Sequence, residues 1–443
     1  MKKLSVISII LISIYVYSQS PTIRFKEGLK IYLSDDSTRY IKATGLAQIW
    51  LRYNDNNPGS TIYGTAKKET FDVGLRRVRY QIMSQVNKKT FFYTQFGINS
   101  FNNLSARKTP LFFHDVTAEY KAFNDYFVIG TGLHGWNGTS RYSSSGVGTI
   151  LGLDLPVIEE TTNDVTDQFV RKLGVYAKGK INKFDYRLSA SNPFPIQSSL
   201  NTVASLSGTN TAAYSTNSPE LQYQGYFMWQ FLDKESNQLP YMTGSYLGKK
   251  QVLNIGSGFT FQNNAMWYRN SELDTILTPL KQVGFDIFYD TYINKEKQNY
   301  ITAYAAYLIY DSGPNYIRNA GPMNTANGTN SNASYNGAGN AFPLIGTGNV
   351  IYAQAAYLFK KDLFKTEGTI QPYFSGSFAN YQKLNTPVFV YDIGINWIMS
   401  GQNSKLSLDY QSRPVFNTTA TGVINETKSA RRGQIVLQYQ VAF

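Results

Sequence analysis

Arg77 and Arg79 set two guanidinium groups two residues apart, with Val78 between them and Tyr80 and Ile82 following. A guanidinium fork is shaped to hold carboxylate or phosphate oxygens through charge-assisted hydrogen bonds. On a strand, that spacing sends both arginines to one side. Arg on a lipid-facing side at mid-bilayer costs ~2–4 kcal/mol, so in a membrane-crossing strand both must face an aqueous interior, leaving Val78, Tyr80 and Ile82 outside. Lys42 and Arg52 lie on the polar parity of the preceding strand, and Lys172, Lys178 and Arg187 continue the expected basic wall. Arg76 breaks the parity, the mark of a bulge or of a position near the membrane edge. Such a track eases the passage of phosphate-like or carboxylate solutes. The competing role is ion pairing with Asp72, Asp115, Glu119 and Asp185, which would serve solvation only.

The stretch Gly135–Gln168 carries Asp154, Glu159, Glu160, Asp164 and Asp167, with Arg141 its only base. It is long enough to fold back into a lumen too wide for side chains to fill. An acidic loop opposite a basic wall gives a transverse field that sorts solutes by size and dipole more than by sign. The alternative is a solvated loop outside the mouth; carboxylates so irregularly spaced do not make a calcium loop. Little supports an enzyme. Only His114 and His134 exist, and neither has the neighbouring His or Cys a metal site would want. Ser143, Ser144 and Ser145 read as loop polarity, and no glycine-rich phosphate cradle occurs. No cofactor is expected.

The elements that must position these residues are strands. Period-two alternation marks about sixteen of them, each near the ~9–11 residues that cross a bilayer at a tilt: 40–53, 71–86, 90–99, 112–123, 125–134, 169–180, 182–191, 221–232, 250–262, 281–292, 298–311, 348–360, 367–380, 386–399, 403–412 and 431–443. Asn87-Lys88-Lys89, Asn124, Asn182 and Gly401-Gln402 are tight turns. Asn54–Thr70, Gly135–Gln168, Asn192–Glu220, Asn263–Leu280, Ser312–Gly346 and Pro414–Ala430 are long and rich in Gly, Asn, Ser and Thr. That asymmetry is the mark of periplasmic turns and outer loops on a membrane barrel. Asp233–Lys249 is longer than the scheme predicts. The last strand puts Ile435, Leu437, Tyr439, Val441 and Phe443 on one face and Gln434, Gln438 and Gln440 on the other, as barrel-closing strands do. A soluble sandwich could alternate the same way.

Lys2 and Lys3 precede an uncharged apolar run to about Tyr17, which reads as an export leader ending near Ser18. The expected organisation is a leader over 1–18, a short periplasmic segment over 19–39 and one all-β, antiparallel transmembrane barrel over 40–443. With no cysteine there are no disulfide staples. The 34 Tyr and 27 Phe fit aromatic girdles at both membrane interfaces. A formal charge of +13 suits anionic partners such as lipopolysaccharide or small anions, and export excludes nucleic acid.

Several pieces resemble a known family. Gly394-Ile395-Asn396-Trp397-Ile398, the run Ser400–Tyr410 and the closing Gln438-Tyr439-Gln440-Val441-Ala442-Phe443 look like the C-terminal end of the phosphate-selective porin O and P family, in the form common in Bacteroidetes. Gly28-Leu29-Lys30-Ile31, Arg76-Arg77-Val78-Arg79, Gly174-Val175 through Lys183-Phe184-Asp185-Tyr186, and Tyr352–Tyr357 extend the likeness in family order. The resemblance implies a 16-stranded outer-membrane channel, often trimeric, that passes small anions or general solutes and is inserted by the barrel-assembly machinery. The family's phosphate-specific members place basic residues where Gly135–Gln168 is acidic, so the resemblance implies a general channel more than a phosphate-specific one. A different class of reading is a structural or partner-binding barrel with a plugged lumen.

Overall fold

The computed structural model describes residues 29–196, 209–330, 333–361 and 363–443, and the expected leader lies outside them. Sixteen strands form one closed antiparallel barrel. In chain order they are β1 (Tyr40–Asp55), β2 (Glu69–Gln85), β3 (Thr90–Phe101), β4 (Phe112–Phe123), β5 (Phe127–His134), β6 (Lys172–Ile181), β7 (Phe184–Asn192) and β8 (Gln222–Gln230). The second half comprises β9 (Val252–Arg269), β10 (Thr275–Asn294), β11 (Asn299–Asp311), β12 (Gly348–Leu358), β13 (Thr369–Tyr381), β14 (Val388–Ile398), β15 (Ser404–Arg413) and β16 (Arg432–Ala442). All sixteen coincide with the strands read from alternation, because the pleat forces every second side chain into a different solvent. Two further short strands join the sheet, and one of them, Leu29–Tyr32, pairs with the start of β1.

Closure is antiparallel, Leu46–Asn54 against Gln434–Ala442. Beyond the ladder, the Phe443 amide donates to the Gly45 carbonyl at 3.0 Å and the Gly45 amide returns the bond at 3.2 Å. A Cβ on residue 45 would lie 2.2 Å from the Phe443 ring, so only glycine lets the terminal aromatic lie over β1. No edge remains unpaired in the closed wall.

The two faces carry opposite chemistry. Along β2, Phe71 is 70% exposed and Val73 57%, while Asp72 between them is 7% exposed. On β16, Ile435, Tyr439 and Val441 are exposed and Gln434, Gln438 and Gln440 are buried. An apolar exterior around a polar interior is the arrangement a bilayer demands, and two sheets stacked over an apolar middle are not what forms.

One expected loop is not a loop. Asn263–Leu280 is mostly strand: β9 and β10 continue past the other strands as a projecting hairpin, with a bulge between Gln262 and Met266. Its tip closes on Asn270, whose side-chain oxygen accepts from the amides of Glu272 and Asp274 at 3.0 and 2.8 Å. That Asx turn replaces the long connection expected from the polar composition. The stretches after β11 and β15 likewise hold small hairpins, Ile317–Ala320 with Phe342–Gly346 and Phe416–Thr418 with Ile424–Glu426.

Candidate functional site

The connection after β5 turns into the barrel and crosses it. Tyr142 and Ile158 pack in an apolar cluster with Leu280, Phe288, Tyr304 and Leu308 on the inner face of β10 and β11. On the opposite wall, Gln48 of β1 donates to the Val147 carbonyl at 3.0 Å, Lys405 of β15 to Ile150 at 2.8 Å and Asn396 of β14 to Leu151 at 2.8 Å. Two glycines admit it: a Cβ on Gly284 would sit 2.2 Å from the Thr139 carbonyl, and one on Gly258 2.8 Å from the Thr139 amide. Gly258 and Gly284 are direct cross-strand partners, so together they make a flat place on the wall where the loop backbone rests.

The loop leaves open a cavity of about 1330 Å³ on the long-loop side of the barrel, lined by five guanidinium groups, those of Arg76, Arg77, Arg79, Arg171 and Arg318. Arg76 is the extra residue of a bulge: Gln48 faces Arg77 while the next residue, Ile49, faces Leu75. The bulge turns adjacent arginines to the same side. Arg76 Nε donates to Asp154 at 2.8 Å, and Arg77 bonds the other oxygen of the same carboxylate. Burial works to raise Asp154, but the guanidiniums of Arg76 and Arg77 prevail and hold it below the usual carboxylate range. The acid expected to stand across a gap from the basic wall is therefore in contact with it.

Arg79 differs. Its guanidinium donates to the carbonyls of Val78 and Ile98 at 3.0 and 2.8 Å and to the Asn99 side chain. Arg318 likewise donates only to carbonyls, those of Asn163 and Thr161, both at 2.9 Å. Among the described residues neither has a carboxylate within salt-bridge reach. These two cations keep their charge uncompensated at short range.

The rest of the expected basic wall, Lys42 aside, is paired. Arg52 holds Asp72 in a two-pronged contact at 2.9 and 2.7 Å, Lys172 lies 3.5 Å from Asp167, Lys178 2.7 Å from Glu119, and Arg187 3.1 Å from Asp185. Lys42 is half-buried at the short-turn end, opposite Met83 and Lys30. The positive wall thus gathers at Arg76–Arg79, Arg171 and Arg318 rather than running as a continuous track. Arg171, 3.6 Å from Asp115, precedes β6 on the parity opposite to Lys172 and Lys178, and Arg318 lies in the small hairpin strand Ile317–Ala320 of a long loop, so the alternation of the wall strands did not mark either.

Of the loop acids, Glu160 and Asp164 line the cavity. Burial pushes Glu160 up to about 7, against the pull of Arg77 and Arg171. Glu159 turns away from the cavity to Ser140 and to Tyr304, whose hydroxyl donates at 2.8 Å, and burial pushes it up to about 8. Asp167 accepts from Thr162 at 2.5 Å and from the Val170 amide at 2.7 Å. His134 lies 3.3 Å from the Ser191 hydroxyl, and the His114 ring sits tilted against those of Phe112 and Phe169. Ser143, Ser144 and Ser145 bond the loop's own backbone.

No protein-family profile matches the chain, and no characterised relative does at significant similarity. Solved structures do. Salmonella typhi OmpF, in a complex with daunomycin, aligns over 94% of this chain and 100% of its own at TM-score 0.53 and 9% identity. Pseudomonas putida OprB, in a high-pH structure, aligns over 91% of this chain and 94% of its own at TM-score 0.54 and 9% identity. At such identity the likeness is one of fold. Closed wall, apolar exterior and inward loop define an integral outer-membrane β-barrel of the porin type.

Proposed function

We propose that the chain is a passive diffusion channel for small hydrophilic solutes with a preference for anions, phosphate among them, working as a homotrimer, the state the family resemblance implies. The observation that carries the reading is the convergence of five guanidiniums on one cavity, two of them without a carboxylate partner among the described residues. A solute anion there gains charge-assisted hydrogen bonds in place of part of its hydration. The bonds must stay weak for release, and Glu160 and Asp164 on the same cavity supply the opposing charge that keeps them so. The gradient alone drives flow.

The test is reversal potential in a KCl gradient across a planar bilayer holding the purified protein. Arg79→Ala is expected to shift it toward cations by several millivolts, the sign following from loss of an uncompensated positive charge. Arg187→Ala, which removes a cation that does not line this cavity, is expected to shift it less. Equal potentials for wild type and Arg79→Ala remove Arg79 from selection. The second reading, a plugged barrel serving an outer-membrane assembly, draws on the amount of chain folded into the lumen; a barrel that never gives stepwise conductance would favour it.

A further inference from the structure

The connection between β8 and β9 lies at the end of the barrel where the other turns run to ten residues at most, yet it runs from residue 231 to 251. It does not hang outside. Lys178 donates to the Gln238 carbonyl at 2.7 Å and Arg187 to the Pro240 carbonyl at 2.9 Å, both from inward positions on β6 and β7. Leu239 and Tyr241 pack on Met83, Phe91 and Tyr93 of β2 and β3, and Gln238 donates to the Tyr40 hydroxyl of β1 at 3.0 Å. Farther on, the Tyr246 amide donates to Asp290 of β10 at 2.8 Å, and the Ser245 carbonyl accepts from Gln402, in the turn between β14 and β15, at 3.1 Å. The segment therefore reaches the inner wall on all sides.

It is also fastened to the loop that enters from the other end. The Met242 amide donates to the Ser144 carbonyl at 2.7 Å and the Gly146 amide to the Met242 carbonyl at 2.8 Å, a short parallel bridge. Arg141 and Glu235 face each other fork to fork, with both bonds at 2.7 Å and both side chains almost wholly buried. A buried pair of this geometry holds position strongly, because parting it leaves two charges without solvent.

We infer that residues 231–251 are the size-limiting element on the periplasmic side, pinned to the outer loop by Arg141–Glu235 so that the two inward segments act as one body. The inference rests on the channel reading. The segment leaves its strands as a hairpin ladder, with the Phe231 amide on the Leu253 carbonyl at 2.8 Å and the Asp233 amide on Gln251 at 2.9 Å. Replacing Lys234–Lys250 with Asn-Gly should then close the hairpin with a two-residue turn on the hydrogen-bonded pair Asp233–Gln251 and leave the wall intact. Arg141→Gln in the same chain avoids an orphaned cation.

In planar bilayers this variant is expected to conduct at least about twofold more than wild type and to admit larger neutral sugars in liposome swelling. Equal conductance and an equal size limit overturn the inference and leave the channel reading standing. A silent wild type beside a conducting variant sinks the channel reading and overturns the size-limiting role, leaving the segment as a full plug. Silence of both, in barrels that show heat-modifiable migration, sinks the channel reading and the inference with it. Should the shortened chain not fold, Arg141→Gln with Glu235→Gln is expected to give frequent larger substates. Ser145→Cys with Met242→Cys, whose disulfide is unique in a chain with no cysteine, is expected to suppress them until reductant is added. Substates that ignore the tether overturn the inference.

Discussion

Glu160 is the residue at which acidity and selectivity meet. Its carboxyl, raised to about 7 by burial, lines the cavity shared by the five arginines. Above that pH it is ionised and offsets part of the positive charge; below it the group is neutral and the cavity becomes more positive. Anion preference, read as reversal potential, is therefore expected to increase as pH falls from about 8.5 to about 5.5. Glu160→Gln is expected to lose most of that response, keeping only the part near the low end that belongs to Asp164, which burial raises to about 6 on the same cavity. An undiminished response in Glu160→Gln would assign the titration to another group. The arginines also show why pairing cannot be read from residue type. Arg77 and Arg79 share a strand, a face and a spacing, yet one is bonded to Asp154 and the other is not, because the carboxylate arrives on a loop that crosses the lumen.

At the scale of elements, the inward loop is placed by what the wall omits. Gly258 and Gly284 leave the gap that Thr139 fills, and no rotamer change can relieve a clash with loop backbone. Gly284→Val is expected to lift the Thr139 region from β10, giving larger and noisier single-channel currents with the barrel still assembled. Currents identical to wild type would show that the loop is held elsewhere. The strands themselves were legible because each carries its own evidence: Leu406 and Leu408 against Ser407 and Asp409 need no partner to declare two faces. The segment 231–251 was legible only as an anomaly of length. Its polar residues look like those of a solvated turn, and its position comes from contacts with β1, β7 and β10 that are distant in the chain.

At the scale of the molecule, the closing ladder is extended by Phe443, which meets Gly45 of the first strand. Removing Phe443 deletes both backbone bonds to Gly45 and the ring that covers it. The truncated chain is expected to assemble in lower yield, measured as the heat-modifiable fraction on gels, while any barrel that does form conducts as wild type, since the ring lies outside the lumen. Unchanged yield would make the terminal ring dispensable for closure.

The amino-acid order by itself determined the wall of this protein: strand number, the parity of each face and the joining of ends follow from local alternation against two solvents, a signal that repeats every second residue. Which charges inside the wall stand free was decided only by the tertiary structure. Ion pairs such as Arg141–Glu235 and Arg76–Asp154 join segments far apart in the chain, and Coulomb energy depends on distances that exist only once the barrel has closed and the loops have entered it.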